Sequence, residues 1–204
     1  SAGSAVAYRL GAAGKRVVVI EQGGTDRGPF IQMPAALSYP MNMPIYDWGL
    51  SSEPEPHLGG RRLVTPRGKV IGGSSSINGM VYVRGHAKDY DTWEEMGARG
   101  WGYRHVLPYF KRAEGNTRGS DALHGGDGPL GVSDLRHSNP LSHVFIDAAA
   151  QAGIARNGDF NGATQEGVGL YQVTQRDGAR CSSAAAYLAP IRSRQNLTVH
   201  TGAL

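Results

Sequence analysis

The stretch Gly68-Lys69-Val70-Ile71-Gly72-Gly73-Ser74-Ser75-Ser76-Ile77-Asn78-Gly79-Met80-Val81-Tyr82-Val83-Arg84-Gly85 decides the reading of the fold. Gly72 and Gly73 leave their backbone N–H groups unobstructed by side chains, and Ser74, Ser75 and Ser76 add three hydroxyls. This is the chemistry a diphosphate needs, because oriented amides and hydroxyls meet its charge without a metal. The order is not the Gly-Lys-Ser/Thr of a nucleotide-hydrolysing P-loop. A loop of this kind needs a sheet and a helix to hold it, and the sequence before it supplies both.

Ala2, Ala5, Val6 and Leu10 recur at helical spacing, and Gly11 and Gly14 close the segment as a helix C-terminus. Arg16-Val17-Val18-Val19-Ile20-Glu21 then follows as a β-branched run without alternation. Such a run predicts a strand covered on both faces in a parallel sheet. Helix and buried strand together form half of a βαβ unit. In a dinucleotide-binding unit the last glycine of the turn precedes the helix and an acidic residue ends the second strand, about 20 positions later. Gly3 and Glu21 stand 18 positions apart. Taken alone, the pair is equally compatible with an ordinary βα unit whose terminal Glu is solvated.

The remaining segments give a coarser picture. Pro29, Pro34, Pro40, Pro44, Pro54 and Pro56 exclude long regular elements between residues 25 and 66, so an ordered lid is predicted there. Asp89 to Ala113 reads as helix, turn and helix, with Trp93 and Trp101 expected in the core. His124-Gly125-Gly126-Asp127-Gly128-Pro129 is a turn cluster at a candidate domain crossing, and Leu130 to Leu135 reads as a partial strand. Pro140 to Ala152 is an amphipathic helix with Asn139 as cap and Gly153 as stop. Gly167 to Arg176 alternates as a strand, Ser182 to Leu188 is Ala-rich and helical, and Leu197 to Thr201 is a short strand.

Composition narrows the function classes. Gly and Pro, 30 and 11 of 204 residues, make up roughly a fifth of the chain against an average of about 12%. With 40% hydrophobic and 19% charged residues, the chain is expected to be globular. The four-residue run Val17 to Ile20 is far below the roughly 20 apolar residues of a membrane-spanning helix. A single cysteine, Cys181, excludes an intrachain disulfide and a thiolate zinc cluster and reads as an inert thiol. The net charge of +4 is dispersed rather than clustered, which argues against nucleic-acid binding. With neither an initiator Met nor a signal-peptide pattern at Ser1, the sequence is expected to be a piece of a longer protein.

The Gly68 to Gly85 string, together with Glu21-Gln22-Gly23-Gly24, resembles the first signature of the glucose-methanol-choline (GMC) family of FAD-dependent oxidoreductases, nearest to its bacterial choline and alcohol dehydrogenases. Gln32-Met33-Pro34-Ala35-Ala36-Leu37, Glu53-Pro54-Glu55-Pro56, His124 to Pro129 and Asn196-Leu197-Thr198-Val199 extend the resemblance along the chain. It implies an α/β fold: a Rossmann-like FAD-binding domain with a parallel sheet over residues 1–130, including the lid 25–66. Part of an α+β substrate-binding domain would follow over 131–177, with a return to the FAD domain over 178–204.

The resemblance also implies site residues. Gly3 would be the last glycine of the FAD fingerprint and Glu21 the ligand of the adenosine ribose. Gly72, Gly73, Ser74, Asn78, Gly79 and Val81 would lie along the pyrophosphate and flavin, with Val70 and Met80 lining the same path; core packing is the competing reading for Val70, Met80 and Val81. Some family members attach FAD to a histidine at the position of Ile77, and an alkyl side chain there predicts non-covalent FAD.

The implied reaction is oxidation of a choline-like primary alcohol to the aldehyde by hydride transfer to flavin N5. The catalytic residues are expected beyond residue 204, so none of the seven histidines is assigned as the base and the isolated piece is expected to be inactive. Three other readings stand beside this one: a GMC-fold hydroxynitrile lyase, an oxidase or dehydrogenase of another alcohol, and an NAD-dependent Rossmann enzyme that leaves Gly72 to Val81 without a role. The expected partner is a small-molecule alcohol, and electron acceptor and oligomeric state stay open. The implied location is the cytoplasm, or the periphery of the cytoplasmic face of a bacterial membrane.

Overall fold

In chain order the elements are α1 (Ala2–Ala12), β1 (Val17–Glu21), α2 (Pro29–Gln32), α3 (Ala87–Glu95), α4 (Tyr103–Ala113), β2 (Glu114–Asn116), β3 (Leu130–Val132), α5 (Pro140–Gln151), β4 (Gln175–Arg176), β5 (Ala179–Arg180) and β6 (Leu197–Thr201). The structure is a computed structural model that describes residues 1–203. Leu204, the end of the predicted return segment, lies outside the described residues. The described residues form two compact units, 1–80 with 177–203 and 81–176. The sequence reading drew its boundaries at 130/131 and 177/178.

In the first unit β1 and β6 pair in parallel, in register from Val17 opposite Leu197 to Glu21 opposite Thr201. α1 buries Ser4, Ala7 and Gly11, a stripe at i, i+3 and i+7. The sequence spacing pointed instead to Ala2, Ala5, Val6 and Leu10, of which Val6 and Leu10 are exposed. Small side chains on the inner face allow close approach of the Ala-rich segment 184–191; a Cβ at Gly11 would lie 3.6 Å from Ile191 Cδ1. Ala7, Ile71, Ala184 and Leu188 form the core there, flanked by Val17, Val19 and Val199. Residues 184–188 wind as a π-helical turn and 189–191 as a 3-10 turn rather than as one regular helix. The C-terminus of α1 is closed by Asn196, whose Nδ2 donates to the carbonyls of Gly11 and Lys15 at 3.0 and 2.9 Å.

Of the double-sided burial predicted for β1, the described residues supply one face. Val18 and Ile20 are 60% and 69% exposed, while Val17 and Val19 face the core. A continuous β-branched run records what the strand can bury, and in the described residues only one of its faces meets apolar partners.

Beyond β1 the backbone passes Gly23 so closely that a Cβ there would fall 1.9 Å from the Lys69 carbonyl oxygen. Gly24 bridges in parallel to Val70, and Ile71 N donates to Gly24 O at 3.0 Å. The carboxyl end of β1 therefore lies against the start of the Gly-Ser loop. Residues 25–66 are more regular than predicted. Short helical turns begin at Pro29, Pro34, Pro40 and Pro56, where the fixed proline φ suits a first helical position. Between them runs an antiparallel ribbon: Trp48 N donates to Arg67 O, Ser52 N to Leu63 O and Glu55 N to Arg61 O, at 2.8–3.0 Å.

In the second unit α3 and α4 follow the predicted helix-turn-helix, and α5 starts at the predicted cap, with Asn139 Oδ1 accepting from Leu141 N at 2.9 Å. Trp93 and Trp101 are 47% and 55% exposed, which corrects their placement in the core. They pack edge-to-face on each other with centroids 6.3 Å apart, and Tyr90 meets Trp93 and Phe110 in the same manner. Flat rings stack into a surface layer as readily as into a core. β2 and β3 pair in parallel. The strand predicted for Gly167 to Arg176 survives only as bridges at Val168 and Val173 and as β4, because its glycines fit tight approaches rather than a ladder; a Cβ at Gly169 would lie 1.8 Å from Asn157 O. No helix among the described residues is long and apolar enough to cross a membrane.

Candidate functional site

At the carboxyl end of β1, the start of α1, Glu21 and the Gly-Ser loop come together. Ser1 Oγ donates to Gly72 O at 3.1 Å and accepts from Ser75 N at 3.1 Å, which ties the first turn of α1 to the loop. The Gly72 carbonyl also accepts from Ser75 Oγ at 2.7 Å and Ser183 Oγ at 3.1 Å, and Ser183 reaches Ser4 at 3.3 Å. Gly72 has φ 90° and a Cβ on it would lie 2.4 Å from Ser76 Oγ, so this turn requires glycine.

Some of the loop's N–H groups are engaged within the protein. Gly73 N is engaged by Val70 O, Ser75 N by Ser1 Oγ, and Ile77 N and Asn78 N by Ser74 O. Ser76 Oγ is engaged by Ile71 O. Side chains add donors and acceptors. Ser74 Oγ accepts from Gly68 N at 3.1 Å, which leaves its own proton to donate. α1 has no acidic residue in its first turn, so its start adds positive potential beside the loop. Beside it the Cα of Gly3 has nothing within 4 Å of where a Cβ would stand. Glu21 uses Oε1 to accept from Gly23 N at 2.8 Å, and its second oxygen is available.

Asn78 and Gly79 are exposed, and Gly79 too has open space at its missing Cβ. Asn78 Oδ1 accepts from Met80 N at 3.1 Å and from Arg180 Nη1 at 2.9 Å. Two converging donors identify that atom as the carbonyl oxygen and turn the amide hydrogens outward. Met80 sits at φ 62°, a left-handed conformation unusual for a side chain of its size, fixed by this turn. The side chains of Val70 and Met80 are buried, Val70 in a core cluster with Ile31 and Ile77. Val81 falls in the second unit and is exposed.

The sequence reading missed Ser1, Ser4, Ser183 and Arg180. The serine pair at 182–183 carries no spacing signal toward residue 75; only the fold brings them together. It also passed over a buried polar cluster in the second unit. His124 Nδ1 lies 2.9 Å from Glu114 Oε1 and Nε2 lies 2.9 Å from Asp159 Oδ2, while Arg84 closes on the other oxygen of Glu114. Asn116 Nδ2 donates to Glu114 Oε1 and Gln172 Oε1, both at 2.8 Å. The turn His124 to Pro129 is thus anchored by ion pairs, not only by glycine. No group of three or more His, Cys, Asp or Glu among the described residues is placed to hold a metal ion.

A helix start tied to a Gly-Ser loop through Ser1, with a carboxylate at the adjoining strand end, is the arrangement of a dinucleotide-binding α/β fold. A family profile described as GMC oxidoreductase matches residues 2–204. The chain belongs to the GMC oxidoreductase family. It is 58% identical over 203 residues to an oxygen-dependent choline dehydrogenase of Brucella anthropi, covering 99% of this chain and 37% of the relative. A second oxygen-dependent choline dehydrogenase, from Sinorhizobium fredii, is 58% identical over 198 residues, covering 97% of this chain and 36% of that protein. Among solved structures, pyridoxine 4-oxidase from Mesorbium loti superposes with a TM-score of 0.92 at 37% identity, covering 99% of this chain and 40% of its own. An FAD-dependent oxidoreductase from Chaetomium thermophilum gives 0.87 at 30% identity, covering 97% and 36%. The chain thus spans little more than a third of the length of these relatives.

The residues present fit FAD. Open space beside Gly3 and Gly79, the start of α1, one available Glu21 oxygen, the Ser74 hydroxyl and the Asn78 amide are donors and acceptors of the kinds that a ribose, a diphosphate and a polar ring system need.

Proposed function

We propose that this chain supplies the FAD site of an enzyme that oxidises a choline-like primary alcohol to the aldehyde. The observation that carries the reading is the 58% identity over 99% of the chain to an oxygen-dependent choline dehydrogenase, on a fold whose glycine loop, helix start and strand-end carboxylate converge. When bound, FAD supplies a hydride acceptor at N5 of the flavin. In this reading the FAD-binding domain covers residues 1–130 and 178–204, and residues 131–177 are part of the substrate-binding domain.

In this reading the available oxygen of Glu21 accepts from ribose hydroxyls. The start of α1 at Gly3, the turn at Gly72 and Gly73 and the Ser74 hydroxyl meet the diphosphate. Asn78 and Gly79 bound the flavin, the one by its amide hydrogens and the other by open backbone; Met80 sets their turn and Val81 continues the path. Val70 holds the loop from behind, through the core. Ile77 is buried and carries no nucleophilic atom, so FAD is held non-covalently. The enzyme works in the cytoplasm or at the periphery of the cytoplasmic membrane face.

The test is an absorption spectrum of the full-length protein, before and after anaerobic choline and then a simple primary alcohol. Bleaching of bound flavin by choline is the expected result. Bleaching by the second alcohol alone would keep the family chemistry and remove choline, and a folded protein without flavin would overturn the cofactor assignment.

A further inference from the structure

Arg180, in β5, is 3% exposed and faces no carboxylate among the described residues. Its Nε donates to Ile31 O at 2.9 Å, at the base of the Pro-rich lid. Its Nη1 donates to three oxygens of the cofactor loop: Ser75 O at 3.3 Å, Asn78 O at 2.7 Å and Asn78 Oδ1 at 2.9 Å. Nη2 is buried without a partner. Burial without a counter-ion lowers the guanidinium pKa to about 10, which still leaves it charged at neutral pH.

A buried charge that lacks a carboxylate costs free energy, and an apolar side chain could fill the same volume without that cost. The return lies in what the guanidinium holds. Charge-assisted donors in a rigid planar fork fix two backbone segments and one side chain at once, which a single-point ammonium cannot do. Asn78 is the pivot. With Oδ1 taken by Arg180 and by Met80 N, its amide can present only hydrogens to the space beside Gly79. Without Arg180 the exposed Asn78 keeps a single bond from Met80 N, and its amide can rotate.

We propose that Arg180 is a positioning residue of the cofactor site, acting through Asn78 by holding its amide in the donor-outward orientation and by joining the loop 75–78 to the lid at Ile31. The inference rests on the FAD reading above. It predicts that Arg180 and Asn78 act as one unit in cofactor affinity.

The test is FAD reconstitution of the full-length apoprotein, read as the dissociation constant by flavin fluorescence quenching, for R180M, N78A and R180M/N78A, with the thermal midpoint of each apoprotein alongside. The expected result is that each single substitution weakens FAD about tenfold or more, and that the double variant is no weaker than the weaker single variant. Additive losses, or unchanged affinity in a folded R180M, would overturn the proposal. Should R180M fail to fold, R180K serves in its place: an ammonium keeps the charge but cannot span Ile31 O and Asn78 together, so weakened FAD that is non-additive with N78A is expected. Full affinity in R180K would overturn the proposal by showing that charge alone suffices. Wild-type protein that binds no FAD would instead defeat the cofactor reading itself, so the two failures are distinct.

Discussion

His124 Nδ1 and Glu114 Oε1 meet at 2.9 Å inside the second unit, and the opposite ring nitrogen meets Asp159 at the same distance. A ring that faces a carboxylate oxygen on both sides must donate from both nitrogens, which only the imidazolium can do. Burial works against that charge, but the hydrogen bond and charge of Glu114, joined by Asp159, outweigh it and hold the pKa above the ordinary histidine value. A raised folded-state pKa contributes stability that is complete below the unfolded value and is lost as pH rises through the folded value. The contribution of His124 is therefore expected to be larger at pH 6 than at pH 9. Urea unfolding of wild type and H124N at the two pH values checks this: the difference between them should shrink as pH rises.

Glu114 itself carries a larger share. It is fully buried between Arg84 and His124, and Glu114→Gln leaves two buried cations facing a neutral amide. Breaking a buried pair from one side costs about 3–5 kcal/mol. Unfolding of E114Q is expected to show a loss of that order, with the thermal midpoint falling accordingly. A loss below about 1 kcal/mol, the value of an exposed pair, would show the cluster to be solvated.

Gly72→Ala tests the geometry of the loop. The residue would have to adopt φ 90° with its Cβ 2.4 Å from Ser76 Oγ and 3.1 Å from Ala184 Cβ. Strain of roughly 1–3 kcal/mol for the backbone alone should appear as a lower thermal midpoint together with weaker FAD binding. Gly3→Ala is the contrast, since its Cβ meets nothing within 4 Å. It should leave apoprotein stability almost unchanged and affect only cofactor affinity.

These cases also show what a sequence makes legible. β1 and α5 could be read directly because their signals are local: four consecutive β-branched residues in one case, and Asn139, Pro140 and Gly153 at fixed offsets in the other. The Gly-Ser loop was readable as a motif. Its hydrogen bonds were not, because the partners of Ser75 and Asn78 are Ser1, Ser183 and Arg180, more than 70 positions away. The ribbon of the lid was invisible for another reason. Its pairing is made by backbone groups between residues that show no alternation of apolar and polar side chains. Trp93 and Trp101 misled because large apolar residues were equated with core, whereas here they form a layer at the surface.

Glu21 offers a chemically clean test of the ribose contact. Glu21→Gln preserves an acceptor for Gly23 N but replaces the available carboxylate oxygen with an amide donor. A hydrogen bond to a charged acceptor contributes about 1.5–3 kcal/mol, so FAD affinity in E21Q should fall by about tenfold or more, with little change in the stability of the apoprotein. Unchanged affinity would remove Glu21 from the site.

Ile77 decides how the cofactor leaves. Its side chain is packed with Ile31 and Val70 and bears only carbon, so no bond to the flavin can form at this position. Acid or heat denaturation of the full-length protein unfolds the loop, and everything that holds FAD by hydrogen bonds and helix dipole is lost with it. All of the flavin absorbance is therefore expected in the supernatant after precipitation and centrifugation. Colour retained in the pellet would require an attachment elsewhere on the protein and would overturn the non-covalent reading, while leaving the assignment of Glu21 and Asn78 to be judged on affinity alone.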